Sequence, residues 1–346
     1  MENVWFFIIF ATIIVVLFDF TNGFHDASNM VASVIASRSM TPAQSVLIVG
    51  TFTFLGPVLG GTAVANTIGK FVTLDDLPAQ LSLSVVICGL FAATAWNFIT
   101  WWRGLPSSSS HALVGGLAGV VVVAVGPDHV VWGFSQLAEG HVTGVTKVLL
   151  ALFLSPLAGF WFGYILHRIS LVLLRAASPM INRELRAAQW ISTAGLSFAH
   201  GANDAQKSMG ILTLCLVLSG QIETFEVPFW VIAVCATAIT LGTIMGGWKI
   251  VRTLAFSIYK IRPLHALNSQ ITSGGVVFLA SMIGAPVSTT HVVSSSIMGI
   301  GASERPHAVR WKKAKEIAIT WLLTIPGSAA VAMLAYAFLK LTGLSA

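Results

Sequence analysis

The sequence predicts an all-α polytopic membrane protein built from two inverted-topology repeats, with broken helices and two re-entrant helical hairpins. Three observations predict it: a composition starved of charge, a series of long apolar runs, and two polar motifs that each occur twice in the same order. Of 346 residues, 55% are hydrophobic and 9% charged, and the mean hydropathy is +0.84. A soluble domain carries about 25% charged residues. A chain with so few could not cover its surface in water, so a bilayer must be the solvent for most of it. Helices of about 20 apolar residues span the hydrocarbon, and only helices or closed barrels satisfy every backbone group there. The alternating segments of about ten residues that mark barrel strands do not occur.

The formal net charge is +6, from 19 basic and 13 acidic residues. Basic residues crowd the joints between apolar runs, which suits topology and a lipid bilayer partner and argues against nucleic acid. Cys88, Cys215 and Cys235 lie inside apolar runs, where packing is their simplest use. Neither a disulfide framework nor a resident metal or other cofactor is expected. The first run follows Met1-Glu2-Asn3 with no basic stretch before it, and reads as a retained membrane segment.

Apolar runs cover residues 4–38, 43–69, 82–126, 145–170, 190–220, 228–250, 268–301 and 316–341. The first and fifth are too long, and too polar at their centres, for single unbroken helices. The third and seventh carry Pro, Gly and Ser/Thr clusters at mid-run and read as helical hairpins. Comparing these interruptions exposes an internal repeat. The first run contains G-F-H-D-A-S-N, Gly23 to Asn29, and the fifth G-A-N-D-A-Q-K, Gly201 to Lys207. The third contains P-S-S-S-S-H, Pro106 to His111, and the seventh P-V-S-T-T-H, Pro286 to His291. Asp26 precedes His111 by 85 positions and Asp204 precedes His291 by 87. Residues 1–175 therefore form an N-terminal repeat, 176–189 a short basic linker, and 190–346 a C-terminal repeat.

Charge sets the orientation. His167 to Arg186, Lys249 to Arg262 and residues 305–315 are basic, whereas the loops at Asp75-Asp76, Asp128 to Glu139 and Glu223 to Glu226 are not. The positive-inside rule places the first group in the cytoplasm. Each repeat then makes three net crossings plus a hairpin that returns to its own side, so the second copy must be inverted and both termini lie outside. Arg103, near the centre of the first hairpin, is the exception to the pattern. Inverted repeats interrupted at matching positions are the build of a secondary transporter, with a site near the midplane where the copies meet.

Asp26 and Asp204 sit deep in apolar runs, where a carboxylate costs about 2.5–3.5 kcal/mol to insert. Such groups are retained for ions, protons or substrate, or as caps of a broken helix. Ser107 to Ser110 follow Pro106, and Ser288, Thr289 and Thr290 follow Pro286 at one remove. Proline at a first helical position beside hydroxyls exposes free N–H groups at a helix N-terminus, a ready anion site. Two such ends facing each other would cradle one tetrahedral oxyanion; helix–helix packing is the alternative use of the hydroxyls. His111 and His291 have no other ligand at metal spacing and are expected to shape the loops by hydrogen bonding. His25 and His200, beside the aspartates, are candidates for proton handling. A hydrolase would need one nucleophile and one base; this chain has duplicated hydroxyl runs and no G-x-S-x-G elbow, so no enzyme is expected.

At these four elements the chain resembles the inorganic phosphate transporter (PiT) family along essentially its whole length. The family signature is a G-A-N-D-x-A-N-like element in each half followed by a P-x-S-[ST]-[ST]-H-like loop. The resemblance implies a usually dimeric transporter of inorganic phosphate in the cytoplasmic (inner) membrane. By position, Asp26, Asn29, Asn203 and Asp204 would coordinate cation and phosphate, and Ser108, Ser109, Ser110, Ser288, Thr289 and Thr290 would hold phosphate oxygens. Two departures stand out: His25 replaces the signature's first Asn, and Lys207 its last, with Gln206 in place of a small residue. An ammonium repels sodium, and histidine exchanges protons where asparagine cannot. These features look like the bacterial low-affinity Pit branch, which implies proton coupling rather than sodium and co-transport of a divalent metal with phosphate. A sulfate permease of the same fold, a sodium-coupled phosphate symporter and an uncoupled anion channel are the alternatives. A proton on hydrogen phosphate, donated to Asp26 or Asp204, would discriminate against sulfate.

Overall fold

The computed structural model describes residues 2–256 and 258–342, and regular structure among them is helical. The N-terminal half holds α1 (Glu2–Ala36), α2 (Pro42–Leu59), α3 (Ala63–Gly69), α4 (Ala79–Trp102), α5 (Ser109–Ala124), the short α6 (Phe134–Ala138) and α7 (Gly144–Leu173). The C-terminal half holds α8 (Ile181–Leu218), α9 (Phe229–Met245), α10 (Trp248–Phe256), α11 (Pro263–Met282), α12 (Thr289–Glu304) and α13 (Trp311–Leu341). Apart from α6 the order repeats: a long helix, a helix in two pieces, a helical hairpin, a long helix. Residues 181–189 of the expected linker are the first turns of α8; after Pro179 no Gly or Pro interrupts Arg183, Glu184, Leu185 and Arg186, all good helix formers.

The breaks expected in the first and fifth runs fall elsewhere. α1 and α8 are continuous over 35 and 38 residues, because their central polar side chains find partners across the interior and the backbone ladder stays intact. In each half the next segment breaks instead. α2 gives way to α3 at Gly60-Gly61, with Gly61 at φ +77°, and α9 to α10 at Gly246-Gly247, with Gly246 at φ +49°. Positive φ is open to glycine at little cost.

The halves interlock. α1 packs along α9 and α2 along α8; α7 lies against α12 and α13 against α5; α4 covers α1 and α11 covers α8. Each contact has its counterpart with the halves exchanged, and α1 and α8 meet at the centre. The glycines of the duplicated motif make two of these crossings possible. A Cβ on Gly23 would strike the Ile239 carbonyl and one on Gly242 the Phe20 carbonyl, while Gly201 and Gly56 meet the Thr53 and Phe198 carbonyls in the same way. Small residues let membrane helices approach backbone to backbone. Gly242→Ala is therefore expected to prise α9 from α1 and cost about 1–3 kcal/mol. Thermal unfolding in detergent reads this directly, and a variant as stable as the parent would mean that the crossing is loosely packed.

Among the described residues, five helices are long and apolar enough to cross a membrane: α1, α2, α4, α7 and α13. Along α7, Phe153, Leu154, Leu157, Trp161, Phe162 and Ile165 all stand exposed, an apolar face suited to lipid and not to water. The polar residues are turned inward, so the protein is a multi-pass membrane protein whose polar groups line its interior.

Candidate functional site

On α1, Asn22, His25, Asp26 and Asn29 recur at the spacing of one helical face, and on α8 His200, Asn203, Asp204 and Lys207 repeat it. The two stripes face the hairpin loops, residues 103–108 and 283–288. Ser108 caps α5 and accepts from the His111 N–H at 3.2 Å, while Ser288 caps α12 and accepts from the His291 N–H at 3.3 Å. Pro106 and Pro286 stand two residues ahead of these caps, not at the first helical position as expected. They orient the incoming chain while serine caps the helix. The N–H groups of Ser109, Ser110, Thr289 and Thr290 are first-turn donors with no helical carbonyl to bond, and two positive helix ends enter one buried region.

The contacts across the halves mirror each other. Asn29 Nδ2 donates to Thr290 Oγ1 at 2.9 Å, and Lys207 Nζ donates to Ser110 Oγ at 2.6 Å. Thr290 donates to Asp26 Oδ1 at 2.7 Å. Ser109 donates to Asn22 Oδ1 at 2.6 Å and reaches Asp26 Oδ2 at 3.5 Å, and Thr289 reaches Asp204 Oδ2 at 3.4 Å. His25 Nδ1 lies 3.1 Å from Asp26 Oδ1, and His200 Nδ1 3.0 Å from Asp204 Oδ2. Oxygens of Asp26 and Asp204 and a nitrogen of His200 all fall within 4.8 Å of one another. Lys207 breaks the mirror: its ammonium pairs with Asp204 and also donates to the Val287 carbonyl at 2.8 Å. Asp26, Asp204, Lys207, Ser109, Ser110, Thr289 and Thr290 are all buried within the protein.

The model of PHO4, the phosphate transporter family, matches residues 22–332, which take in both stripes and both loops. The chain belongs to this family. A probable low-affinity inorganic phosphate transporter of Bacillus subtilis (strain 168) is 39% identical over 336 residues, covering 95% of this chain and 97% of that one. Its counterpart in Rhizobium meliloti (strain 1021) is 37% identical over 325 residues, 93% of each chain. A solved structure described as "The sodium-dependent phosphate transporter" superposes with a TM-score of 0.78 at 26% identity, over 97% of this chain and 99% of that one. The relatives are named transporters, and this PHO4 protein is not an enzyme.

Within this PHO4 member, several residues stand differently from expectation. Ser108 and Ser288 each cap a helix with an acceptor lone pair, which leaves the O–H free to donate. Asn203 holds the loop, donating to Ser281 Oγ at 3.0 Å and to the Ala285 carbonyl at 3.2 Å and accepting from the Val287 N–H. His111 and His291 do not hydrogen-bond through their rings among the described residues. Their rings lie 4.6 Å apart, and His291 stacks on Trp321 at 3.9 Å; burial among aromatics, with the backbone N–H on the cap, fixes the loops. Sequence reasoning passed over Asn22 and Asp19. Asn22 was legible in the helical spacing. Asp19, two turns before Asp26, is fully buried, accepts from Ser208 Oγ at 2.5 Å, and has no hydrogen-bond partner on its other oxygen among the described residues.

Proposed function

We propose that this protein imports inorganic phosphate across the cytoplasmic membrane by alternating access, driven by protons and with a divalent metal accompanying the phosphate. Two inverted repeats bring two re-entrant hairpins to the midplane, and the halves rock about the site they share. The observation that carries the reading is the convergence of two free helix N-termini and their hydroxyls on the Asp26–Asp204 pair. First-turn amides and hydroxyls suit the oxygens of a tetrahedral oxyanion, and a carboxylate suits the proton of hydrogen phosphate. Asp26, Asn29, Asn203 and Asp204 then serve the cation and position the loops, while His25 and His200 relay protons to the carboxylates they touch. A homodimer is the assembly in the membrane.

Proton coupling is favoured by Lys207. Its ammonium is held by Asp204, Ser110 Oγ and the Val287 carbonyl, an all-oxygen set of the kind a bound sodium ion would need. The chain thus carries its own cation at that place. A sodium-coupled symporter is the second reading, supported by the likeness to the sodium-dependent transporter and by the neutral Asn29 at the matching place in the first half.

Purified protein in liposomes, given labelled phosphate, an inward proton gradient and magnesium but no sodium, is expected to accumulate phosphate. Unlabelled sulfate should not compete, and a protonophore should abolish accumulation. A strict need for sodium would replace the first reading with the second, and competition by sulfate would reassign the substrate.

A further inference from the structure

At the end of α12 opposite its serine–threonine loop, ligand-type side chains from three helices converge. His167 of α7, His265 of α11 and Glu304 of α12 each place a donor atom within 4.8 Å of the others. Glu304 Oε2 lies 2.6 Å from His265 Nε2 and 3.6 Å from His167 Nε2. His167 is fully buried, and its Nε2 points into the cluster with no hydrogen-bond partner among the described residues. A plain hydrogen-bonded pair of His265 and Glu304 leaves that nitrogen without a role. We propose that His167, His265 and Glu304 form a binding site for a divalent transition metal, with Zn²⁺ the best match, which ties together the ends of α7, α11 and α12.

Two imidazoles and one carboxylate, with a fourth position for water, are a zinc donor set. Bonds of about 2.0 Å in a tetrahedron set the ligand atoms about 3.3 Å apart. The two spacings to Glu304 fall either side of that value, so closing the site needs side-chain shifts on the order of 1 Å. Supporting contacts are in place on each ligand. His265 Nδ1 accepts from the Arg262 N–H at 3.1 Å and lies 3.3 Å from the Lys260 carbonyl, His167 Nδ1 lies 3.0 Å from the Asn268 side-chain amide, and the Tyr259 hydroxyl donates to Glu304 Oε2 at 3.4 Å. Such partners hold a ligating histidine in one tautomer and orientation; the Asn268 amide serves with its oxygen turned to the ring. Arg262 approaches the other carboxylate oxygen, Glu304 Oε1, at 3.7 Å and is itself 57% exposed, which leaves Oε2 for the metal and softens the repulsion.

A cavity of about 350 Å³, walled in part by Arg175, Asn182, Arg262 and the three ligands, gives a route in from the surface. Metal entry at His265 Nε2 moves that ring's proton to Nδ1, which turns from accepting the Arg262 N–H to donating to the Lys260 carbonyl. The fold does not need these polar groups: at the same register of the first hairpin stand Val85 and Ala124. The cluster is also separate from the Asp26–His200–Asp204 group, which lies in the phosphate site.

The test is metal binding to the purified full-length protein, followed by equilibrium dialysis with Zn²⁺ and by absorption of Co²⁺ as a spectroscopic substitute. One saturable equivalent with a tetrahedral Co²⁺ spectrum is expected in the parent protein. His167→Gln and Glu304→Gln should each weaken binding by at least about 100-fold, a direct ligand mattering no less than its supports, and His200→Gln should leave this equivalent in place. No saturable binding by the parent overturns the proposal, and so does binding that survives both ligand variants or disappears in His200→Gln. The parent spectrum alone decides the matter if a variant fails to fold, since an absent or octahedral signal is equally fatal.

Discussion

Asp204→Asn is expected to lower thermal stability sharply and to abolish phosphate uptake. The carboxylate is buried, pairs with Lys207, and lies 3.0 Å from His200 and 3.4 Å from Thr289. Removing one partner of a buried pair leaves the other charge uncompensated, at about 3–5 kcal/mol. Total stability is typically about 5–15 kcal/mol, so the loss is a large share of what holds the fold. The double variant Asp204→Asn/Lys207→Asn separates the two consequences. With both charges gone the penalty largely disappears, because replacing a whole buried pair is close to neutral. Thermal stability should therefore recover while uptake stays absent, since the carboxylate proposed to receive the cation or proton is still missing. If Asp204→Asn alone matches the parent in both stability and uptake, the pair is neither structural nor functional.

Most of this candidate site is legible in the duplicated motifs. Asp26 and Asp204 announce themselves by standing in apolar runs, and the Ser/Thr loops by recurring at matching distances. What the sequence concealed depends on partners far away along the chain. α1 stays unbroken because Asn22, His25, Asp26 and Asn29 are answered by Ser109, Ser107 and Thr290, which come from two other segments. Local polarity alone cannot distinguish that outcome from a break. The true breaks sit at Gly60-Gly61 and Gly246-Gly247, where the signal is backbone freedom and not polarity. From the sequence the loop histidines are expected to hydrogen-bond, because imidazole usually does. Trp321, contributed by α13, stacks on His291 instead, and His111 packs against the other ring. Asp19 escaped notice because it belongs to no duplicated motif, and its partner Ser208 lies on the other half.

Lys207→Asn is expected to change the driving ion. In the first half the matching residue, Asn29, donates to Thr290 Oγ1 at 2.9 Å; in the second, Lys207 donates to Ser110 Oγ at 2.6 Å. Replacing the ammonium by an amide makes the halves alike and removes the built-in positive charge. The Asp204 carboxylate, the Ser110 hydroxyl and the Val287 carbonyl are then left facing a space with no cation of its own, and those oxygens suit an external one. Uptake driven by a proton gradient in the absence of sodium should fall by about 10- to 100-fold, the worth of one or two charged hydrogen bonds. Added sodium should restore part of it, with a dependence on sodium concentration that the parent lacks. Phosphate counterflow at equal pH on both sides would report whether the site still binds substrate. Counterflow retained with sodium now stimulating uptake would identify Lys207 as the residue that excludes sodium. Counterflow retained with sodium still without effect would move the exclusion to another residue, and the His25 side of the site, where the imidazole touches Asp26, would be the place to look.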